Sequence, residues 1–253
     1  MTVSTGPMVR LEGVGKRRAQ GGSVFELRVP SFSVGAGQVV AVVGASGCGK
    51  STLLDIVALV MAPTTAQVFE MNPGGGARAR DIRQLWAAAD EESLAALRRD
   101  YLGYVLQTGG LLPFLSVRDN ITLPGRIKGM ADDEARIARL AARLGVAGCL
   151  ERMPDSLSIG QRQRVAILRA LAHKPRLVLA DEPTAAVDKA RARAIMDDMH
   201  ALARDEAVAV VVVTHDVELV AQRADLTYTF DVEQITEQET RSVCRKLVCV
   251  GQP

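Results

Sequence analysis

The chain of 253 residues is poor in what marks a nucleic-acid binder or a membrane span. Its formal net charge is only +2, and three tyrosines and one tryptophan leave little for base stacking. The one tight basic cluster, Lys16-Arg17-Arg18, reads as a solvated turn, so nucleic acid is not an expected partner. No stretch reaches the roughly 18–20 uncharged apolar residues needed to cross a bilayer. The longest candidates, Leu53–Ala62 (interrupted by Asp55) and Ala207–Val213, read as a core helix and a buried strand. The N-terminus lacks a basic-then-apolar signal pattern. Cys48, Cys149, Cys244 and Cys249 form no CxxC pair and no metal-ligand rhythm with the three histidines, which predicts reduced, cytosolic thiols. Any contact with a membrane then comes through a partner. With 48% apolar and 24% charged residues, the composition is that of an ordinary soluble globular chain. The length allows one large α/β domain or two small ones.

Against these absences stands Gly44-Ala45-Ser46-Gly47-Cys48-Gly49-Lys50-Ser51-Thr52. It follows the apolar run Val39–Val43 and precedes the apolar stretch Leu53–Met61. A buried strand, a glycine-rich turn and a helix start are the setting in which G-x-x-x-x-G-K-[S/T] binds a nucleotide. Glycines let successive backbone N–H groups converge on phosphate oxygens where a Cβ would block approach. In such a loop Lys50 would neutralise the β- and γ-phosphates, Ser51 would hold Mg²⁺, and the helix adds its positive end. Cys48, beside Lys50 and a helix start, fits either a small filler of the loop or a thiol of lowered pKa, in which case alkylation blocks hydrolysis and bound nucleotide protects.

The rest of the chain alternates strand and helix. Val9–Val14, Val24–Val34, Gln67–Met71 and Leu102–Leu106 read as strands, the second with Phe25, Leu27 and Val29 on a core face. Asn72–Gly76 reads as a turn and Ala77–Asp100 as helical surface. From about Thr108 to Gly160 the character is helical, with Ile137, Leu140, Ala141 and Leu144 on one face. Strands return at Leu177–Ala180 and Val208–Val213, tied to helical stretches Asp188–Leu202 and Val217–Gln222. This pattern predicts a mainly parallel sheet with helices on both faces. No internal repeat is present. One domain over residues 1–232 is expected, with a helical subdomain at about 108–160, and residues 233–253 form a charged, mixed extension to which no role can be assigned.

A second constellation supports the first. Leu177-Val-Leu-Ala-Asp181-Glu182-Pro183 is an apolar strand ending in two carboxylates, and strand ends of such sheets face the ligand crevice. Asp181 suits Mg²⁺, and Glu182 suits an attacking water. Leu157-Ser158-Ile159-Gly160-Gln161 opens the helical stretch Arg162–Ala172. Ser158 fits a helix cap there, or a second anion site. At these residues, and through Gln163–Leu171, the sequence resembles the ATP-binding cassette family, whose signature is usually leucine-serine-glycine-glycine-glutamine.

The resemblance spans about residues 8 to 231 and implies a P-loop NTPase (RecA-like) core with a mainly parallel sheet. It also implies an antiparallel β subdomain and a helical subdomain carrying the signature motif. By position it makes Gln107 the glutamine that touches Mg²⁺ and γ-phosphate, Asp188 the acidic residue at the dimer seam, and His215 the γ-phosphate histidine. It implies ATP and Mg²⁺ as cofactors, and a homodimer in which Ser158, Gly160 and Gln161 of one copy close over ATP bound to Lys50 and Ser51 of the other. It further implies an integral membrane permease as partner, which holds the chain at the cytoplasmic face of the inner membrane. A finer similarity, carried by Gly103–Gln107, Leu111-Leu-Pro113 and Leu179–Thr184, is to the cassettes of lipoprotein-releasing and macrolide-exporting systems. The apolar segment Gly109–Leu115 is then expected to dock a short cytoplasmic helix of the permease.

Two positions depart from the family pattern. Ile159 replaces the first glycine of the signature, which weakens the shared site if φ > 0 is required and costs little if the residue merely starts a helix. Arg17 or Arg18 stands where the adenine-stacking aromatic is expected, and a guanidinium can stack on a purine. Phe25 is assigned to the core instead. Two other readings stay open: a weakly hydrolysing, ATP-dependent regulatory switch, and a soluble cassette ATPase outside transport.

Overall fold

The computed structural model describes residues 6–74, 78–185, 187–221 and 223–247. Gly75 and Gly76 of the expected turn, Gln222 of the expected last helix and Cys249 lie outside them.

Alternating apolar residues pull the first segments into a long hairpin of β1 (Val9–Gln20) and β2 (Ser23–Val34), paired antiparallel. The run Val39–Val43 has no polar face to offer water and becomes β3, buried on both sides. Helix α1 (Lys50–Val57) follows, then β4 (Val68–Met71) and β5 (Arg80–Asp81). The segment expected to be helical surface is α2 (Ile82–Ala87) and α3 (Glu91–Tyr101), yet Ile82, Leu94 and Leu97 are core residues. After β6 (Leu102–Val105) come α4 (Val117–Ile127), α5 (Glu134–Arg143) and α6 (Ile159–Ala172). The chain returns to the sheet as β7 (Leu177–Asp181), α7 (Lys189–Asp205), β8 (Ala209–Thr214) and α8 (Val217–Val220). The helix starts follow capping chemistry, with Asp133, Ser158, Asp188 and Asp216 each accepting a first-turn N–H.

The C-terminal residues enter the sheet. Strands β9 (Leu226–Thr236) and β10 (Glu239–Leu247) form an antiparallel hairpin, so the boundary expected at residue 232 falls inside β9. Among the described residues the sheet order is β5-β4-β1-β2-β10-β9-β3-β8-β7-β6. The β9, β3, β8, β7 and β6 neighbours are parallel, as the alternation predicts. The β5-β4-β1-β2 block is antiparallel. Strand β10 lies parallel to β2, and β9 parallel to β3, so the final hairpin joins the two blocks. The sequence signal was weak because the far half of β9 and the end of β10 are exposed and carry charged and polar residues among few apolar ones.

One core lies between the sheet and α4–α7; the other lies between the opposite face, α1, α2 and α3. The helical layer is tied by Arg136 of α5, buried, whose guanidinium sits 2.5 Å from Glu206, with Arg139 2.8 Å from the same carboxylate. Burial pushes the Glu206 pKa up, but the two guanidinium hydrogen bonds outweigh it and hold the carboxyl below its ordinary value. A depressed folded pKa stabilises above the unfolded value and loses that contribution as pH falls through the folded one. Glu206→Gln leaves Arg136 buried without its counter-charge and is expected to lower stability by about 3 kcal/mol at neutral pH. Urea unfolding should show that gap closing in acid.

Candidate functional site

The glycine-rich loop leaves β3 at Gly44 and enters α1 at Lys50, with Gly47 and Gly49 at φ +80° and +108°. At Gly49 a side chain is disfavoured twice, by the positive φ and because a Cβ would lie tightly, 3.1 Å from the Phe25 ring and 3.2 Å from Leu27. Lys50 is buried and donates to the Gly44 and Ala45 carbonyls at 2.7 and 2.9 Å. A cleft of about 990 Å³ opens in front of the loop. Its floor is Ser46, Gly47, Gly49, Lys50, Ser51 and Thr52. Gln107 follows β6, Asp181 and Glu182 end β7, and His215 follows β8 on a second side. These positions lie at carboxyl ends of parallel strands, where ligands of open α/β sheets bind. The third side is Arg18, Gln20, Ser23, Val24 and Phe25 of the first hairpin, with Thr240 of β10.

Glu182 and His215 form a pair. The ring Nδ1 lies 3.0 Å from both carboxylate oxygens, so with Glu182 ionised the ring donates and Nε2 is left for another partner. Glu182 sits at φ +46°, a left-handed conformation that costs a non-glycine residue energy and gathers at functional sites. Its N–H donates to Val213 at 2.9 Å, which holds the turn against β8. Burial pushes the Asp181 pKa up, and repulsion from Glu182 and Asp55 adds to it against the attraction of Lys50. Asp55, on α1, is itself pushed up by burial, with Arg18 opposing. A cation placed among these carboxylates relieves that repulsion. Ser51, Gln107 and Asp181 together offer the hard oxygen donors that Mg²⁺ takes, alongside phosphate and water oxygens. Among the described residues there is no cluster of three or more His, Cys, Asp or Glu that could hold a metal ion.

Ser158, Gly160, Gln161 and Asp188 do not line this cleft. Ser158 and Gln161 form a capping box at the start of α6: the Ser158 Oγ accepts from the Gln161 N–H at 3.2 Å, and the Gln161 Oε1 from the Ser158 N–H at 2.9 Å. Asp188 caps α7, and a Cβ on Gly160 would lie 3.9 Å from Val187 and Arg191, so these residues share one surface. Ile159 is the first residue of α6, has no positive φ, and is 51% exposed. The substitution therefore carries no backbone strain, and the turn it starts is an ordinary helix N-terminus.

Three expectations change. Cys48 does not line the cleft; it is 4% exposed and packs beneath Gly44, whose added Cβ would lie 2.6 Å from the sulfur. Burial pushes its pKa up, against Lys50 and local backbone N–H groups, so the activated thiol is not present. Phe25 is core and site at once, packed against buried residues and lining the cleft opposite Arg18 in the hairpin register. Residues 233–247 supply a wall residue, Thr240, which no local sequence signal marked.

Two anchoring residues were also missed. The buried Asn120 accepts from the Leu112 N–H at 2.7 Å and donates to the Leu112, Leu115 and Ser116 carbonyls at 3.0 Å each. Arg169 of α6 donates to Gly109 and Gly110 at 2.9 and 2.6 Å. Together they fix the segment after Gln107 and display Phe114, 73% exposed.

Residues 27–185 match the family model described as ABC transporter. The chain is 39% identical over 224 residues to the lipoprotein-releasing system ATP-binding protein LolD 1 of Rhodospirillum rubrum, covering 87% of this chain and 94% of that protein. It is 35% identical over 253 residues to a probable export ATP-binding/permease protein MacB of Pseudomonas entomophila, covering 98% of this chain but only 36% of that longer one. The methionine import ATP-binding protein MetN of Cupriavidus pinatubonensis is 35% identical over 234 residues, and the chain spans 64% of its length. Among solved structures, the post-hydrolysis dimer of the cassette MJ0796 bound to ADP and Pi is 30% identical, with a TM-score of 0.76 over 97% of this chain and all of that one. The chain belongs to the ABC transporter family, as an ATP-binding cassette. Among the described residues no helix is long and apolar enough to cross a membrane.

Proposed function

We propose that two copies of this chain close head to tail on ATP and drive a membrane permease by hydrolysing it. The observation that carries this is the convergence of Lys50, Ser51, Gln107, Asp181, Glu182 and His215, from four separate segments, on one cleft. Loop amides and Lys50 hold the β- and γ-phosphates, and Arg18 with Phe25 holds the base. Ser51, Gln107 and Asp181 would hold Mg²⁺, which would supply positive charge beside the phosphates. Glu182 takes a proton from water as its oxygen bonds to the γ-phosphorus and the bond to the β–γ bridging oxygen breaks, leaving ADP and phosphate. His215, oriented by Glu182, contacts the γ-phosphate through its other nitrogen.

Ser158, Gly160, Gln161 and Asp188 complete the site from the second copy. Their placement on a surface away from the cleft supports that division, since within one chain they reach no phosphate held there. Closure adds the α6 N-terminus to the γ-phosphate and excludes bulk water. The names of LolD, MacB and MetN include release, export and import, so the reading extends to an envelope transporter without a direction. The chain would sit at the cytoplasmic face of the inner membrane through its permease.

Phe114 and Leu111 are the proposed permease contact. Phe114 projects from a segment that Asn120 and Arg169 hold rigid, and Arg169 ties that segment to the signature helix. Phe114→Asp is expected to abolish copurification of a membrane protein while leaving ATP affinity unchanged. Retained copurification would place the docking surface elsewhere.

A further inference from the structure

The C-terminal strand contacts the phosphate loop from behind. Along β10, residues 240, 242 and 244 share one face by strand alternation. Thr240 of that face lines the nucleotide cleft, and Ser242 and Cys244 are fully buried. The Ser242 hydroxyl donates to the backbone carbonyl of Cys48, in the middle of the phosphate loop. Strand β2 lies alongside in parallel register, pairing Phe25 with Thr240 and Leu27 with Ser242. Phe25 and Leu27 are the side chains that crowd the Gly49 α-carbon. The peptide joining Cys48 to Gly49 is thus held by two adjacent strands.

A trans peptide points its C=O and its N–H in opposite directions. With the Cys48 oxygen turned inward to Ser242, the Gly49 N–H is turned outward to the cleft that Gly49 lines. No carbonyl or side chain among the described residues accepts from that N–H. The Cys48 N–H, by contrast, is directed back at the Ala45 carbonyl, 3.4 Å away. A loop amide aimed at phosphate before the ligand arrives costs no reorganisation on binding.

We propose that Ser242 is a positioning residue of the nucleotide site: it fixes the Cys48–Gly49 peptide so that the Gly49 amide faces phosphate. Ser242 then supports the phosphate loop from a strand that lies behind it. The proposal rests on the reading of residues 44–52 as the phosphate site. It goes beyond that reading by assigning a role to a strand outside the family's motifs.

The test is titration calorimetry of the full chain with ATP, ADP and inorganic triphosphate. Ser242→Ala is expected to weaken all three by a similar factor, roughly five- to tenfold, the scale of one hydrogen bond. The Gly49 amide resonance of the ADP complex should shift in the same variant. Cys244→Ala removes a buried side chain from the same face of the same strand, and is expected to keep wild-type affinity. Wild-type affinity in Ser242→Ala overturns the proposal, as does a loss confined to ATP and ADP, or an equal loss in Cys244→Ala. Lys50→Ala separates the underlying reading: triphosphate bound as tightly by that variant means that residues 44–52 are not the phosphate site.

Discussion

Glu182→Gln is expected to slow ATP hydrolysis by roughly 10²–10⁴-fold, the usual contribution of a general base, while ATP still binds. The substitution keeps the shape of the side chain and an amide oxygen for the His215 Nδ1, which lies 3.0 Å from the carboxylate. It removes only the capacity to take a proton from water. The backbone is compatible with the assignment, since Glu182 is held at φ +46° with its N–H tied to Val213. With hydrolysis blocked, the proposed dimer has no route to open. Sedimentation should therefore show a dimer of the variant in ATP and a monomer in ADP. Near-normal turnover would move the base to another group, and an ATP-bound monomer would remove the shared site.

Lys50→Ala is expected to weaken ATP binding by roughly 10–100-fold, the value of charged hydrogen bonds to phosphate. Lys50 is the buried cation of the cleft floor and holds the loop through the Gly44 and Ala45 carbonyls. Removing it deletes the phosphate contact and an internal tie at once. Its charge also opposes the upward shift of the Asp181 pKa, so the carboxylate cluster becomes harder to ionise without it. Calorimetry in magnesium-containing buffer measures the loss; unchanged affinity would show that the nucleotide lies elsewhere.

The legible parts of this protein are those where neighbours in sequence do the work together. Val39–Val43, buried on both faces, and the glycines after it can form little else than a strand and a tight turn. The Ile137, Leu140, Ala141 and Leu144 stripe declared its helix, and all four are buried. Asp181 and Glu182 were readable because a core strand stops at a pair of carboxylates. Cys48 was legible only as a choice between an activated thiol and a small filler, because its sequence neighbours, a lysine and a helix start, suggested an electropositive setting while its size suited packing. The neighbours that matter are Gly44, which it packs beneath, and β10, whose Ser242 holds its carbonyl and buries it from behind. Phe25 was placed in the core by its alternation, which was correct for one side of the ring and silent on the cleft at the other.

From residue order alone came the nucleotide loop, the strand-helix alternation, the acidic strand end and the family resemblance, because each is a local pattern whose spacing carries its own chemistry. Tertiary structure alone decided that the signature residues lie away from the cleft of their own chain. It alone put a C-terminal strand between β2 and β9, behind the loop. These depend on contacts between residues nearly 200 positions apart, as Ser242 is from Cys48. Strand pairing at that separation is set by which edges remain open when the sheet forms, and no spacing along the chain records it.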